Sequence, residues 1–426
     1  MSDIASPVKP VQRELSPAVV AGAALIALGV AMGIGRFAFT PLLPMMQLDA
    51  GLTLVDSGWL ASANYAGYLA GALLAMGLRM RSSLAIRGGL PAIAVTTFAM
   101  ALDHSFLAWM AWRALAGIAS AWVFVHVSVA SLHRLAALGR PRLASVVYAG
   151  VGAGIAVAGV LCLPLMRAGA SSDAAWITLG ALAALFTLLI WPVFGASDEG
   201  PATPRGHTRL EWDADRVRLV LCYGTFGFGY IIPATFLPAM ARQVVHDPAL
   251  FGWSWPLFGA AAFGSTLAAA TLQRFMTHRQ LWLAGQLAMA LGVMLPLWSP
   301  GIAGILLAAL IVGGTFMVIT LAAIQEARRI AGAHAAALIG AMTAAFAAGQ
   351  IAGPLLVSGA AHAGADFSLA LPVAAALLVA STLALRRAPR RHAHSDLIPP
   401  FALSLSKGGP ESSVCRGAAS VRASTS

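Results

Sequence analysis

Two arginines stand where the surrounding chain is hostile to charge. Arg36 and Arg113 each lie inside a long apolar run, and no Asp or Glu sits clearly within any such run to pair with them. A guanidinium does not lose its proton in a protein, and its planar fork of donors matches a carboxylate or phosphate. At the centre of a membrane helix such a residue costs about 2.5–3.5 kcal/mol. Counted from the far ends of their runs, Arg113 lies roughly 10 Å deep and Arg36 roughly 15 Å deep, at 1.5 Å per residue. Side chains of this type at matching depth suit the capture of an anionic group in a water-filled cavity. The competing reading is that each guanidinium is taken by helix-end carbonyls or reaches the membrane interface.

Other polar residues embedded in apolar runs extend this candidate substrate site. Tyr230 stands 194 residues after Arg36, the offset at which the chain repeats. Asn64 and Tyr68 share a helix face at four-residue spacing, with Tyr65 beside them, and Gln350 precedes the Gly353–Pro354 pair. Each is read equally well as one end of an interhelical hydrogen bond. Arginine cannot shuttle a proton, so proton coupling needs another group, and His126 is the embedded titratable candidate. Its other reading is a neutral buried histidine. His126 and His133 lack a third ligand, and Cys162, Cys222 and Cys415 show no metal or redox spacing, so no metal and no cofactor is expected. Glu326 beside Arg328 and Arg329 reads as a surface ion-pair cluster. No phosphate loop, His-Glu-x-x-His pair or nucleophile elbow is present, which argues against an enzyme or an ATP-driven pump.

The elements that must hold these residues are membrane helices. The chain of 426 residues is 59% hydrophobic and 10% charged, where a soluble domain carries about 25% charged residues. Uncharged stretches of about 20 residues recur, each able to cross the hydrocarbon as a helix, and helices satisfy their own backbone there. Twelve spans are predicted: 18–46, 57–78, 88–102, 106–132, 143–166, 174–194, 217–240, 252–272, 281–298, 301–324, 335–362 and 369–385. Gly33, Gly35, Leu43, Pro44, Met46, Gly58 and Trp59 recur 194 residues later as Gly227, Gly229, Leu237, Pro238, Met240, Gly252 and Trp253. Repeated halves in a membrane chain mark secondary transporters, whose substrate lies between them. The expected division is an N-terminal segment (1–16), a first six-helix bundle (17–194), a linker (195–216), a second bundle (217–388) and a disordered tail (389–426).

The net charge of +11 is a topology signal, not a sign of nucleic acid. All of the Lys and Arg except Arg36, Arg113, Arg167 and Arg242 fall on one side of a twelve-span chain, which by the positive-inside rule is cytoplasmic together with both termini. Small residues at four-residue spacing, Gly150, Gly154 and Ala158, and Gly67 and Gly71, allow close helix approach. They serve either packing within a bundle or a sliding surface between bundles. Pro41, Pro44, Pro233 and Pro238 occupy similar places in spans one and seven and suggest a shared bend.

The motifs Gly33–Met46 (GIGRFAFTPLLPMM), Gly227–Met240 (GFGYIIPATFLPAM), Asn64–Gly71 (NYAGYLAG), Gln325–Arg329 (QEARR) and Gly349–Pro354 (GQIAGP) resemble the YbfB/YjiJ-type branch of the major facilitator superfamily. The resemblance covers about residues 15–388. It implies an all-α fold of two pseudo-symmetric six-helix bundles and alternating access, without a substrate class. The segment Gly77–Arg81 lacks the acid usual in the superfamily's helix 2–3 loop, and Ile155 replaces the proline of the antiporter pattern after Gly150–Gly154. The expected function is secondary transport of a small organic solute, an organic anion by preference, in a bacterial inner membrane, with a monomer as the functional unit. Proton symport, efflux, uniport and anion exchange stay open, and a non-transporting membrane sensor is the alternative of another class.

Overall fold

The computed structural model describes residues 15–78, 80–195, 212–365 and 367–386. Twelve long helices run through them. They are α1 (Pro17–Asp49), α2 (Leu54–Gly77), α3 (Ser82–Ala99), α4 (Phe106–Ala137), α5 (Ala144–Arg167), α6 (Ser172–Ile190), α7 (Ala214–Val244), α8 (Ser254–Leu272), α9 (His278–Trp298), α10 (Ile302–Ala331), α11 (Ala335–His362) and α12 (Phe367–Arg386). Among the described residues, nine of these are long and apolar enough to cross a membrane; α2, α3 and α8 fall outside that set. Most of the linker and the whole tail, including the stretch expected to be disordered, lie outside the described residues.

Local chemistry sets the helix ends. Ser16, Ser105 and Ser171 accept from the backbone N–H three residues on, and Asp213 caps α7 in the same way. Thr53 with Asp56, and Thr277 with Gln280, form full capping boxes. Asp56 therefore serves as the third-position partner of the Thr53 cap. Gly51 and Gly169, at φ +64° and +65°, turn the chain after α1 and α5, a conformation that favours glycine. Several helices outrun their predicted spans: α4 continues to Ala137 and α10 to Ala331. The apolar run ends at the hydrocarbon boundary, but the helix goes on and carries Arg134, Arg328 and Arg329 in its last turns, where cations suit the helix dipole.

The packing repeats with the sequence. In the first half α1 packs on α5, α2 on α4, and α3 on α4 and α6. In the second, α7 packs on α11, α8 on α10, and α9 on α10 and α12. The halves meet through α5 against α8 and α2 against α11, which are equivalent pairs, and through the C-terminal part of α1 against α7.

The glycines divide this work. A Cβ on Gly150 would strike the main chain at Leu25, and one on Gly33 the main chain at Gly154, so this row seats α5 on α1 inside the first half. Gly67 and Gly71 likewise press against the backbone of α4. The surface between halves uses the adjacent face of α5: Gly152 meets Phe263, Ala156 meets Gly259, and Gly159 meets Pro256.

Candidate functional site

Near its middle α1 leaves α-geometry. It runs as an α-helix to Leu28, widens to a π-helical turn over Gly29–Ile34, passes through a turn at residues 35–38, and resumes at Phe39–Asp49. The matching prolines do not produce a matching interruption, because α7 is assigned as one continuous helix with Pro233 and Pro238 inside it. A break in α1 leaves carbonyl oxygens without helical partners, and in a buried position these must be satisfied by other donors.

Two of the predicted site residues supply those donors. Arg113 donates to the carbonyls of Arg36 at 2.8 Å and Gly35 at 3.5 Å. The Asn64 amide donates to Gly35 O at 3.2 Å and to Arg113 O at 2.8 Å. Together they tie α1, α2 and α4 into one knot around the break. Arg113 thus follows the competing sequence reading, its guanidinium taken by main-chain oxygens.

Arg36, held on that break, points to the other half. Its guanidinium lies 4.1 Å from the ring centre of Tyr68, with Phe37 at 5.2 Å and Tyr65 at 5.3 Å. It donates to Gln350 Oε1 on α11, and the Gln350 amide nitrogen donates in turn to the Tyr230 hydroxyl on α7. Arg36, Gln350 and Tyr230, separated by more than a hundred residues from one to the next, form one hydrogen-bonded chain across the seam. The water-filled cavity expected around both arginines is not the arrangement seen, since Arg36 is 2% and Arg113 3% exposed. Among the described residues no carboxylate pairs with either arginine, and the Nε atoms of both, like Asn64 Oδ1, lack a hydrogen-bond partner.

Other bonds close the seam from this level toward the α1–α2 turn. Tyr65 and Thr235 share a hydroxyl–hydroxyl bond of 2.9 Å, and Thr40 donates to Ala234 O at 2.9 Å. Ser62 donates to Ile351 O, Ser358 to Val55 O, and Arg242 to Pro44 O and Gln47 Oε1. Thr40 and Ala234 are themselves related by the repeat offset of 194 residues, so this bond sits where the chain meets its own copy. That offset was visible in the sequence. Tyr65's bond to Thr235 was not, because nothing in the apolar pattern around Thr235 sets it apart.

His126 lies elsewhere. It is 13 residues beyond Arg113 on α4, about 20 Å along the axis at 1.5 Å per residue. Its Nδ1 is 3.2 Å from Ser82 Oγ on α3. Glu326 is not at the surface: it is 1% exposed, bonded by Arg329 at 2.8 Å and 2.9 Å, and 3.8 Å from Arg279, which also binds Asp215. Both acids are buried within the second half, while Arg329, with its side chain 59% exposed, carries the ion-pair cluster out to the surface.

A family model described as uncharacterised MFS-type transporter YbfB matches residues 28–386. No curated protein sequence matches the chain. Among solved structures, the chain is similar to the nucleoside transporter NupG (a D323A mutant), with a TM-score of 0.69, 13% identity, and coverage of 86% of this chain and 98% of that one. At that identity the likeness shows the fold.

Proposed function

Because this chain belongs to the YbfB-type family of major facilitator transporters, as its match over residues 28–386 shows, we propose that it carries a small organic anion between the two halves by alternating access. One observation supports the anionic solute above others: two enclosed guanidinium groups without a carboxylate partner among the described residues. Each is expensive in that setting, and the Arg113 charge is partly dissipated on carbonyl dipoles of α1. Arg36 is then the anchor. Gln350 Oε1 occupies the acceptor position on it, as a carboxylate oxygen of the solute would, and Tyr230 and Tyr68 complete the site. Asn64 and Arg113 act as positioning residues that fix the break from which Arg36 projects.

On this reading a solute competes with Gln350 for Arg36. Binding therefore loosens a bond that joins the halves, which is how occupancy is coupled to opening. On this reading the chain lies in a bacterial inner membrane, the charge asymmetry supports cytoplasmic termini, and a monomer is the functional unit because the residues of the site all belong to one chain. Proton symport would run through His126, whereas uniport or anion exchange needs no proton carrier. The separation of about 20 Å along α4 between His126 and Arg113, which binds the Arg36 carbonyl, supports exchange or uniport.

The test is uptake of radiolabelled weak organic acids into proteoliposomes, with and without a pH gradient, beside a neutral nucleoside and an organic cation. The expected result is saturable uptake of an acid, abolished in Arg36→Ala at undiminished expression. Transport of the cation or the nucleoside with Arg36→Ala fully active would refute the anionic reading. Loss of uptake on collapsing the gradient, together with loss in His126→Asn, would restore proton symport.

A further inference from the structure

We infer that the anion is an aromatic monocarboxylate: its carboxylate replaces the Gln350 amide on Arg36, and its ring enters the array of stacked rings that the second half builds around Tyr230, which Gln350 links to that guanidinium. This rests on the anion-transport reading above and narrows it.

The array is built around Tyr230, whose hydroxyl ends the chain from Arg36. Its ring stacks on Phe316 at 5.6 Å with planes 2° apart, and on Phe346 at 5.5 Å and 13°. Phe316 continues to Phe258 at 5.5 Å and 28°, and Phe258 to Trp255 at 4.8 Å and 20°. Trp255 then meets Phe37, the neighbour of Arg36 on the first half, at 6.1 Å. The rings come from four helices, α7, α8, α10 and α11, and run in series from Phe346 and Tyr230 to Trp255. Phe346 lies one helical turn before Gln350, so the two share a face of α11. A ring joined to a carboxylate that took the place of Gln350 would be carried toward Phe346 and Tyr230.

The repeat supplies the contrast. Where the second half has Tyr230 the first has Arg36. Gly117 packs on the backbone of Asn64 as Gly313 does on that of Phe258, and Gly33 on Gly154 as Gly227 on Phe346. At equivalent places the first half thus has Arg, Asn and Gly where the second has Tyr, Phe and Phe. The first-half wall carries the cation, with Phe37, Tyr65 and Tyr68 around it, and the second-half wall carries the extended stack of rings without a cation. That pairing fits a ligand with an anion at one end and a planar ring at the other. It fits a monoanion, because the Arg113 guanidinium already binds main-chain oxygens, leaving Arg36 alone to receive charge. Offset stacking adds to the area that the ring buries, which a saturated ring of like size does not gain.

The experiment measures equilibrium binding to the purified full chain in lipid nanodiscs. The probes are benzoate, cyclohexanecarboxylate, benzyl alcohol and benzylamine. Benzoate is expected to bind about tenfold tighter than cyclohexanecarboxylate, from stacking on one or two rings, with the alcohol and the amine far weaker. Phe316→Leu should bring the ratio of the two acids toward one, since it removes a stacking partner from the array and leaves an apolar side chain there. If that variant does not fold, the wild-type ratio decides alone. Equal affinities for the two acids would overturn the aromatic inference and leave the anion reading standing. Benzylamine or benzyl alcohol binding as tightly as benzoate, undiminished in Arg36→Met, would overturn both, as would a panel in which neither acid binds.

Discussion

Arg36 and Arg113 carry the same sequence signal and have different jobs. Both are buried cations in apolar helices, but one reaches across the seam and the other holds a backbone together. Substitution by methionine separates them, because it keeps most of the volume and removes the charge. Arg36→Met is expected to leave thermal stability equal or higher, since an uncompensated buried charge disappears, and to weaken anion binding by at least about tenfold, the value of one charge-assisted hydrogen bond. Arg113→Met strips donors from Gly35 O and Arg36 O, and should destabilise the chain by about 1–3 kcal/mol. Thermal unfolding of the two variants in detergent, alongside ligand titration, checks both. Equal stability losses would contradict the division of labour. Arg36, Tyr230 and Gln350 were legible in the sequence as polar groups inside apolar runs. For Arg113 and Asn64 the sequence offered main-chain capture and an interhelical hydrogen bond as alternatives, but which oxygens they serve was not legible, because that is set by a backbone interruption that leaves no mark in the pattern of side-chain polarity.

At the scale of elements, the small residues show how much a helical register decides. The row Gly150–Gly154 is plain in the sequence, but its partner is not. Only the packing reveals that this row seats α5 on α1, and that a second row one step around the helix, Gly152, Ala156 and Gly159, faces the other half. Gly154→Leu should therefore block assembly of the first half, as overpacking against main chain costs about 1–3 kcal/mol or more. Gly22→Ala in α1 meets nothing within 4 Å and should be tolerated, with a gain of at most about 1 kcal/mol. Yield of monodisperse protein on gel filtration distinguishes the two. The twelve helices themselves were readable from apolar run length. Their ends were not, because α4, α7 and α10 carry on past the point where the hydrocarbon stops demanding apolar residues.

For the molecule as a whole, the seam is fastened toward the end that carries the α1–α2 turn. Arg242 on α7 reaches Pro44 O at 3.4 Å and Gln47 Oε1 at 3.3 Å on α1, and with the Ser358–Val55 bond it fastens the halves at that mouth. Arg242→Ala is expected to raise the population open at that end by about tenfold, the effect of losing hydrogen bonds from a charged donor. In a background lacking the native cysteines, Ser358→Cys would report the change through its rate of modification by a membrane-impermeant thiol reagent. An unchanged rate would mean that Arg242 does not hold the mouth shut. The two-half plan was foreshadowed by the constant offset between Gly, Pro and Trp residues. The closed seam was not, since it depends on which of several packings the halves adopt.

The bond from Thr40 to Ala234 has a consequence for how such a chain can vary. A residue on the axis of a doubled protein faces its own counterpart, so like side chains there confront each other head-on. Two threonines would set hydroxyl against hydroxyl; threonine opposite alanine lets the single hydroxyl reach a peptide oxygen instead. Self-encounter at that one point rewards divergence between the copies, and in the proposed site the same departure from likeness, extended outward to Arg36 and Tyr230, would give a passenger a head side and a tail side.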